Sequence, residues 1–316
     1  MNRAVLINPK SGRGGKGIAL AGRLGAHPHV MVRMLENFSH LPEILAEMGR
    51  AHIDELFISS GDGTIHAVLT EIAERRPFSF LPKLGILPHG KTNLTAGDLG
   101  LRLPSPAAEA GFIAGRAASL TKPRPTLRVL NPGDGRVRHG MFVGTGAAAA
   151  GTRFCQQAFH GTGVTGKWAT SATLVAATLK ALFTAPDPDD LKRLDRAYVI
   201  GFSIGNDAFP AAPRLFLMAS TLDRLLLGTR PFWGGKREPI RVSVLPYPVP
   251  SVIRWMLPMM YGAEDREAPK GAASWSTDRL AVSTQEEFVI DGEFFDPPAN
   301  EPLRIETGPS FTFICG

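Results

Sequence analysis

Short apolar runs alternate with stretches of helical spacing through the first third of the chain. Arg3 to Asn8 is an apolar run with β-branched residues, closed by Asn8-Pro9, and a glycine-rich turn then leads into helical spacing as far as Leu24. Val30 to Leu35 reads as a second strand, and Leu41 to Met48 as a helix with Ser39 as its N-cap. Leu56 to Ser59 is a third strand, stopped by Gly61-Asp62-Gly63. Thr64 to Arg75 follows with Ile65, Val68, Leu69 and Ile72 on one helical face. Leu84 to Leu87 is a fourth strand, and a further helix starts near Asn93. Apolar strands separated by helices predict a parallel sheet covered on both faces, with ligands outside the carboxyl ends of its strands. Three polar, glycine-containing loops fall at those ends, over residues 8–17, 60–64 and 88–93, and the active site is expected there.

The pattern changes near Lys122-Pro123-Arg124-Pro125. Strand-like pieces dominate beyond it: Thr126 to Leu130, Val137 to Val143, Ala197 to Ile204, Leu215 to Ala219, Arg241 to Val244, Leu280 to Ser283 and Phe288 to Ile290. One long helix is expected over Val164 to Phe183. The division predicted is an α/β domain over 1–123 and a mainly antiparallel β domain over 124–304, with a last strand near 305–316 that returns to the first. No internal repeat is visible.

Composition narrows the class. The chain has 316 residues, 44% hydrophobic and 20% charged, which is globular rather than disordered. Thirty-five basic against 29 acidic residues leave a formal charge of +6, which suits nucleotides, phosphates or anionic lipid surfaces. Two cysteines, Cys155 and Cys315, supply neither a disulfide framework nor a thiolate metal cluster, and a reducing, cytoplasmic setting is expected. The most apolar window, Trp168 to Phe183, is too short for a membrane span, and the amino-terminal segment has no secretory pattern. No motif for reading RNA or DNA appears.

The glycine loops carry the chemistry. Gly12-Arg13-Gly14-Gly15-Lys16-Gly17 fits the dinucleotide pattern G-x-G-x-x-G after a strand, with Glu36 where a ribose-binding acid would stand, so an NAD(P)-binding oxidoreductase is one reading. The absence of a following Gly-Lys-Ser or Gly-Lys-Thr excludes a P-loop. Ser59-Ser60-Gly61-Asp62-Gly63-Thr64 is more specific. Its glycines admit a phosphate chain close to the backbone, and the helix that follows aims amides at anionic oxygens. Ser60 and Thr64 add hydroxyl donors, and Asp62 could hold Mg²⁺ or take a proton. Asp-Gly is also a common turn, both here and at Asp291-Gly292, where Glu293 could be a solvated side chain. Val252 to Tyr261, rich in Met and aromatics, reads as a packed core helix, the other reading being a bilayer-touching surface.

Taken together the motifs resemble the diacylglycerol kinase catalytic family, which includes sphingosine and ceramide kinases. Asn8-Pro9-Lys10-Ser11-Gly12 is similar to its N-P-x-S-G opening, and Ser60-Gly61-Asp62-Gly63-Thr64 to its G-G-D-G-T loop with serine first. Leu87-Pro88-His89-Gly90-Lys91-Thr92-Asn93 resembles its P-x-G-T-x-N element, and Ile290-Asp291-Gly292-Glu293 its late D-G-E. Phe142-Val143-Gly144-Thr145-Gly146 stands where the family has F-x-N-x-x-x-G.

The resemblance implies an N-terminal α/β domain like that of phosphofructokinase and NAD kinase, and a C-terminal antiparallel β-sandwich. It also implies ATP and Mg²⁺ as cofactors, and phosphorylation of a lipid alcohol at a transient, anionic membrane surface. Asn8, Gly12, Ser60, Gly61, Asp62, Gly63, Thr64, Ile65, His66, Gly90, Lys91 and Asn93 would bind the nucleotide. Glu293, with Asp62, would be catalytic, and Asp62 would meet the magnesium through ATP. Lys10, Arg13, Lys16 and Lys91 could neutralise developing charge. Three departures stand out. Lys91 replaces a threonine, Thr145-Gly146-Ala147 lacks the asparagine, and the strand region 197–220 lacks the family's acidic metal cluster. They leave open a catalytically silent relative that binds nucleotide or lipid.

Overall fold

The computed structural model describes residues 2–12, 15–91, 93–115, 120–161, 196–249 and 252–316. Arg13, Thr92 and the helix expected over Val164–Phe183 lie outside the described residues. The chain divides into two compact units, Met1–Thr126 with Gly308–Gly316, and Leu127–Thr307.

The first unit is built on parallel strands. They are β1 (Arg3–Ile7), β2 (Val30–Met34), β3 (Glu55–Ser60) and β4 (Lys83–Pro88), in the order β2-β1-β3-β4. The chain's last strand lies parallel to β4, with Phe313 opposite Leu84. β3 is buried at all six positions, so its apolar residues Leu56, Phe57 and Ile58 run consecutively rather than alternating. Phe57 in β3 is wholly buried and fills space that Gly85 leaves free; a Cβ at Gly85 would lie 2.3 Å from its ring. Burial of such a ring contributes about 1.5–3 kcal/mol.

Helices α1 (Gly15–Leu24), α2 (Leu41–Arg50), α3 (Asp62–Arg75), α4 (Leu94–Leu99) and α5 (Pro106–Ala114) connect and follow the strands. α1 and α5 share one core with β1 and β3 through Leu20, Leu24, Ala110 and Ile113 against Val5, Ile7 and Phe57. Ser39 is not the N-cap of α2. Asn37 accepts the Ser39 amide at 3.0 Å, so Ser39 sits inside a single 3₁₀ turn that precedes α2. α5 has no counterpart in the sequence reading, although Ser105 caps it by accepting the Ala108 amide, with Pro106 in the first turn.

Where the pattern changes, at Lys122–Pro125, β5 (Leu120–Val129) runs straight through. The second unit is antiparallel. β6 (Arg138–Gly140) pairs with β5, and β7 (Phe142–Gly146) leads into α6 (Ala147–Gly161). β8 (Tyr198–Ile204), β9 (Asp207–Ser220) and β10 (Ile240–Pro246) follow, then helix α7 (Val252–Tyr261). β11 (Ala273–Thr277), β12 (Arg279–Ser283), β13 (Phe288–Ile290), β14 (Glu293–Phe295) and β15 (Leu303–Cys315) complete the chain. β9 pairs with β7, β8 and β10, and one core gathers Val143, Tyr198, Leu217, Val242, Leu280, Phe288 and Leu303.

The single strand expected over Val137 to Val143 is two strands, broken at Met141. The break has a definite cause. The buried Asp291 carboxylate accepts the amides of Met141 and Phe142 at 2.8–3.1 Å, drawing them off the ladder. Helix α7 is likewise not the packed core helix that its composition suggests. Met259 is buried, but Leu257 is 63% and Tyr261 51% exposed.

Candidate active site

Register places the three polar loops side by side. Ile7 at the end of β1 lies opposite Ser59, and Ser60 at the end of β3 lies opposite Pro88 of β4. The chain therefore leaves three neighbouring strands at one edge of the sheet, where parallel sheets bind ligands.

Hydrogen bonds tie these loops together. Asn8 Nδ2 donates to Thr64 Oγ1 at 2.9 Å, and Asn8 Oδ1 accepts the Lys10 amide at 2.9 Å. Asn8 thus connects the first loop to the first turn of α3. Gly12 has φ +61, in the left-handed region, and a Cβ there would lie 2.3 Å from the His89 carbonyl oxygen. Glycine is required both for that backbone and for that approach. Asn93 closes the third loop on itself, accepting the Gly90 amide and donating to the Gly90 carbonyl, each at 3.0 Å.

Asp62 has a position that the motif alone does not reveal. It is buried at the start of α3, and its two carboxylate oxygens accept the amides of Leu94 and Thr95 at 2.9 and 3.1 Å. Those are the first amides of α4, which would otherwise need another acceptor. One acid from the second loop therefore caps the helix that follows the third.

The remaining nucleotide-site candidates divide by exposure. Gly61, Gly63 and Gly90 are partly exposed and Lys10, Lys16 and Lys91 exposed, whereas Ser60, Ile65 and His66 are buried. Ser60 donates to the Gly61 carbonyl and Ile65 is core, so these side chains serve the loop's shape. Gly61, extended at φ −100, is the N-cap of α3, whose amino end gives the edge a partial positive charge. Lys10 Nζ reaches back to the Glu36 carbonyl at 2.9 Å.

A buried chain under the loops escaped the sequence reading. His89 bridges Ser59 Oγ, 2.8 Å from Nδ1, and Glu109 Oε1, 2.9 Å from Nε2. It links the end of β3, the third loop and α5. Three residues this far apart leave no local pattern, although Ser105-Pro106 signals the helix that carries Glu109.

In the second unit, Asp291-Gly292 is the two-residue turn of the β13–β14 hairpin, with φ 47 and 93 as a type I′ turn requires. Glu293 opens β14 and is exposed. Gln156 of α6 braces the turn by donating to the Gly292 carbonyl at 2.7 Å. Asp223 faces Arg241 and Lys236 at 3.6 and 4.0 Å. Among the described residues no group of three or more His, Cys, Asp or Glu could hold a metal ion, and no helix is long and apolar enough to cross a membrane.

Residues 2–121 match the family model described as the diacylglycerol kinase catalytic domain. No curated protein matches the sequence. Among solved structures, the chain is similar to a diacylglycerol kinase from Bacillus anthracis str. Sterne. The two are 18% identical with a TM-score of 0.63, covering 99% of this chain and 96% of the other. A second structure from that organism, described as a candidate diacylglycerol kinase, matches at 17% identity and TM-score 0.64 over the same shares. These likenesses establish the fold, an α/β unit followed by an antiparallel strand-rich one. All three loops lie inside this match to the diacylglycerol kinase catalytic domain, which covers residues 2–121.

Proposed function

We propose that this protein is an ATP-dependent lipid kinase, transferring the γ-phosphoryl group to the hydroxyl of a diacylglycerol-like or sphingoid- or ceramide-like lipid. The observation that carries the reading is the cross-linking of three glycine loops around the amino end of α3, by Asn8 to Thr64 and by Asp62 to α4. Phosphoryl transfer needs positioning and charge neutralisation more than covalent help, and this edge supplies both. The amides of Gly61 and Gly63 are suited to phosphate oxygens. Thr64 accepts from Asn8, which leaves its own hydroxyl proton to donate. Lys10, Lys16 and Lys91 offset negative charge.

Asp62 positions the second and third loops in this scheme. Glu293, exposed on its hairpin, takes the proton from the lipid hydroxyl late in transfer, which requires only a carboxylate within hydrogen-bond reach. Mg²⁺ is assigned to the ATP phosphates, whose charge it lowers, with Asp62 meeting it through them. The enzyme would act in the cytoplasm at an anionic membrane surface, where such lipids reside. The dinucleotide pattern at Gly12 to Gly17 has another explanation, since Gly12 meets His89 and a Cβ on Gly17 would lie 2.9 Å from the Ile7 side chain.

The test is ADP release over a panel of lipid alcohols, for the parent, Glu293→Gln and Asp62→Asn. The parent should turn over with one lipid class. Glu293→Gln should lower kcat by about 10²–10⁴ with little change in the KM for ATP, and Asp62→Asn should raise that KM. ATP binding without turnover on any lipid would indicate the silent relative. Thermal stabilisation by NAD⁺ or NADP⁺ alone would indicate the oxidoreductase.

A further inference from the structure

The second unit carries an apolar face that its own core leaves uncovered. In α7, Arg254, Leu257, Pro258 and Tyr261 are all exposed, and their spacing puts them on one side of the helix. The tight turn over 225–229 is fastened to this helix, because the Arg230 amide donates to the Met260 carbonyl at 2.6 Å. Leu226 and Leu227 are 38% and 37% exposed there, and Leu227 has φ 57, in the left-handed region that a leucine rarely adopts. The unit thus presents apolar side chains to water at two adjoining places, one of them on a strained backbone.

Charge says what such a face could meet. Residues 224–261 contain six basic residues and one acid, Glu238, in a chain whose total is +6. Arg224, Arg230 and Arg254 are exposed around the apolar residues, and Arg254 lies 5.3 Å from the Trp255 ring centroid. Arg241 is buried beneath, against Phe232 and Asp223. The acids that follow the helix are Glu264, Asp265 and Glu267, of which Glu264 pairs with Lys236 at 3.2 Å. Leucine and tyrosine inside an arginine rim match the boundary of an anionic bilayer, with the apolar groups at acyl depth and guanidinium groups at the phosphates. A second copy meeting this face about a two-fold axis would oppose like charges.

We propose that Leu226, Leu227, Leu257 and Tyr261, rimmed by Arg224, Arg230 and Arg254, dock the second unit on an anionic bilayer. The choice of partner rests on the lipid-kinase reading, and the proposal names the surface that brings the enzyme to its substrate.

Full-length protein is sedimented with sucrose-loaded vesicles of phosphatidylcholine, alone or mixed equally with phosphatidylglycerol, with no nucleotide present. The parent should pellet with the mixed vesicles and stay in solution with phosphatidylcholine alone. L257E/Y261E should lower partition by about tenfold or more, and Arg254→Gln by about fivefold. Phe80→Ser removes an 88% exposed ring from the first unit and should change nothing. Melting temperatures show that each variant is folded.

Equal pelleting of the parent and L257E/Y261E overturns the proposal, as does equal affinity for the two vesicle types or a loss confined to Phe80→Ser. So does a parent that ignores vesicles but is a dimer that L257E/Y261E makes monomeric. Turnover of a short-chain lipid alcohol in detergent separates this proposal from the reading beneath it. If docking alone is wrong, that turnover persists in the parent. If the kinase reading is wrong, no variant turns over whatever the vesicles show.

Discussion

His89→Leu removes the middle of a buried chain, and the structure sets the size of the effect. The side chains of His89 and Glu109 are 4% and 5% exposed, and their contact is 2.9 Å. Leucine fills nearly the same space, so the main consequence is electrostatic. Glu109 Oε2 has no hydrogen-bond partner among the described residues, and without His89 the Oε1 atom loses its partner as well. A buried carboxylate left with neither oxygen partnered costs about 1–3 kcal/mol.

Comparing His89→Leu with the double variant His89→Leu/Glu109→Leu isolates this cost, since both lack the imidazole and the Ser59 bond. Hydrogen exchange of the β3 and β4 amides reads the stability of the first unit alone. Protection in the single variant should be about 5- to 150-fold lower than in the double. No gap between the two would refute the view that His89 is what permits Glu109 to be buried.

Two further outcomes test the second unit and the carboxyl end. Asp291→Ala leaves the Met141 and Phe142 amides without their acceptor and should destabilise the second unit by about 3 kcal/mol, seen as faster exchange in β7; Asp291→Asn should recover part of this. Burial, chiefly, pushes the Cys315 thiol above its ordinary pKa, against a smaller opposing pull from Lys122. The stability gained by burying the neutral thiol is present below the unfolded pKa and lost as pH rises through the raised one. Iodoacetamide at pH 8.5 should therefore alkylate Cys315 more slowly in the native protein than in urea, by peptide mass spectrometry, and equal rates would contradict its burial.

What the chain discloses on its own follows from where its strands sit. β3 is buried on both faces, so Leu56 to Ser59 reads as an apolar run between turn residues, and the same holds for β1 and β4. The loops at their ends announce themselves because glycines and prolines punctuate them. α5 does not, because Pro106–Ala114 is apolar on most sides and has no helical period to detect. The break at Met141 was illegible for a different reason, since it is made by Asp291 from 150 residues away. α7 misleads by composition: Met and Trp suggest a core, but burial depends on what packs against the helix, and little covers Leu257.

The same distinction bears on the two acids that the proposed function names, one in each unit. Asp62 and Glu293 each stand in a motif, and the residues alone do not separate their roles. Their surroundings do. Asp62 is buried with each oxygen on an α4 amide, and to accept a proton from a substrate it would have to release the helix that it caps. Its charge is better used holding the second and third loops in register, where a shift of about 1 Å can cost about 10² in rate. Glu293 is exposed on a hairpin held from behind by Gln156. Between the two, it is the carboxylate able to meet a hydroxyl without disturbing the fold. This supports Glu293 as the proton acceptor and Asp62 as the positioning residue.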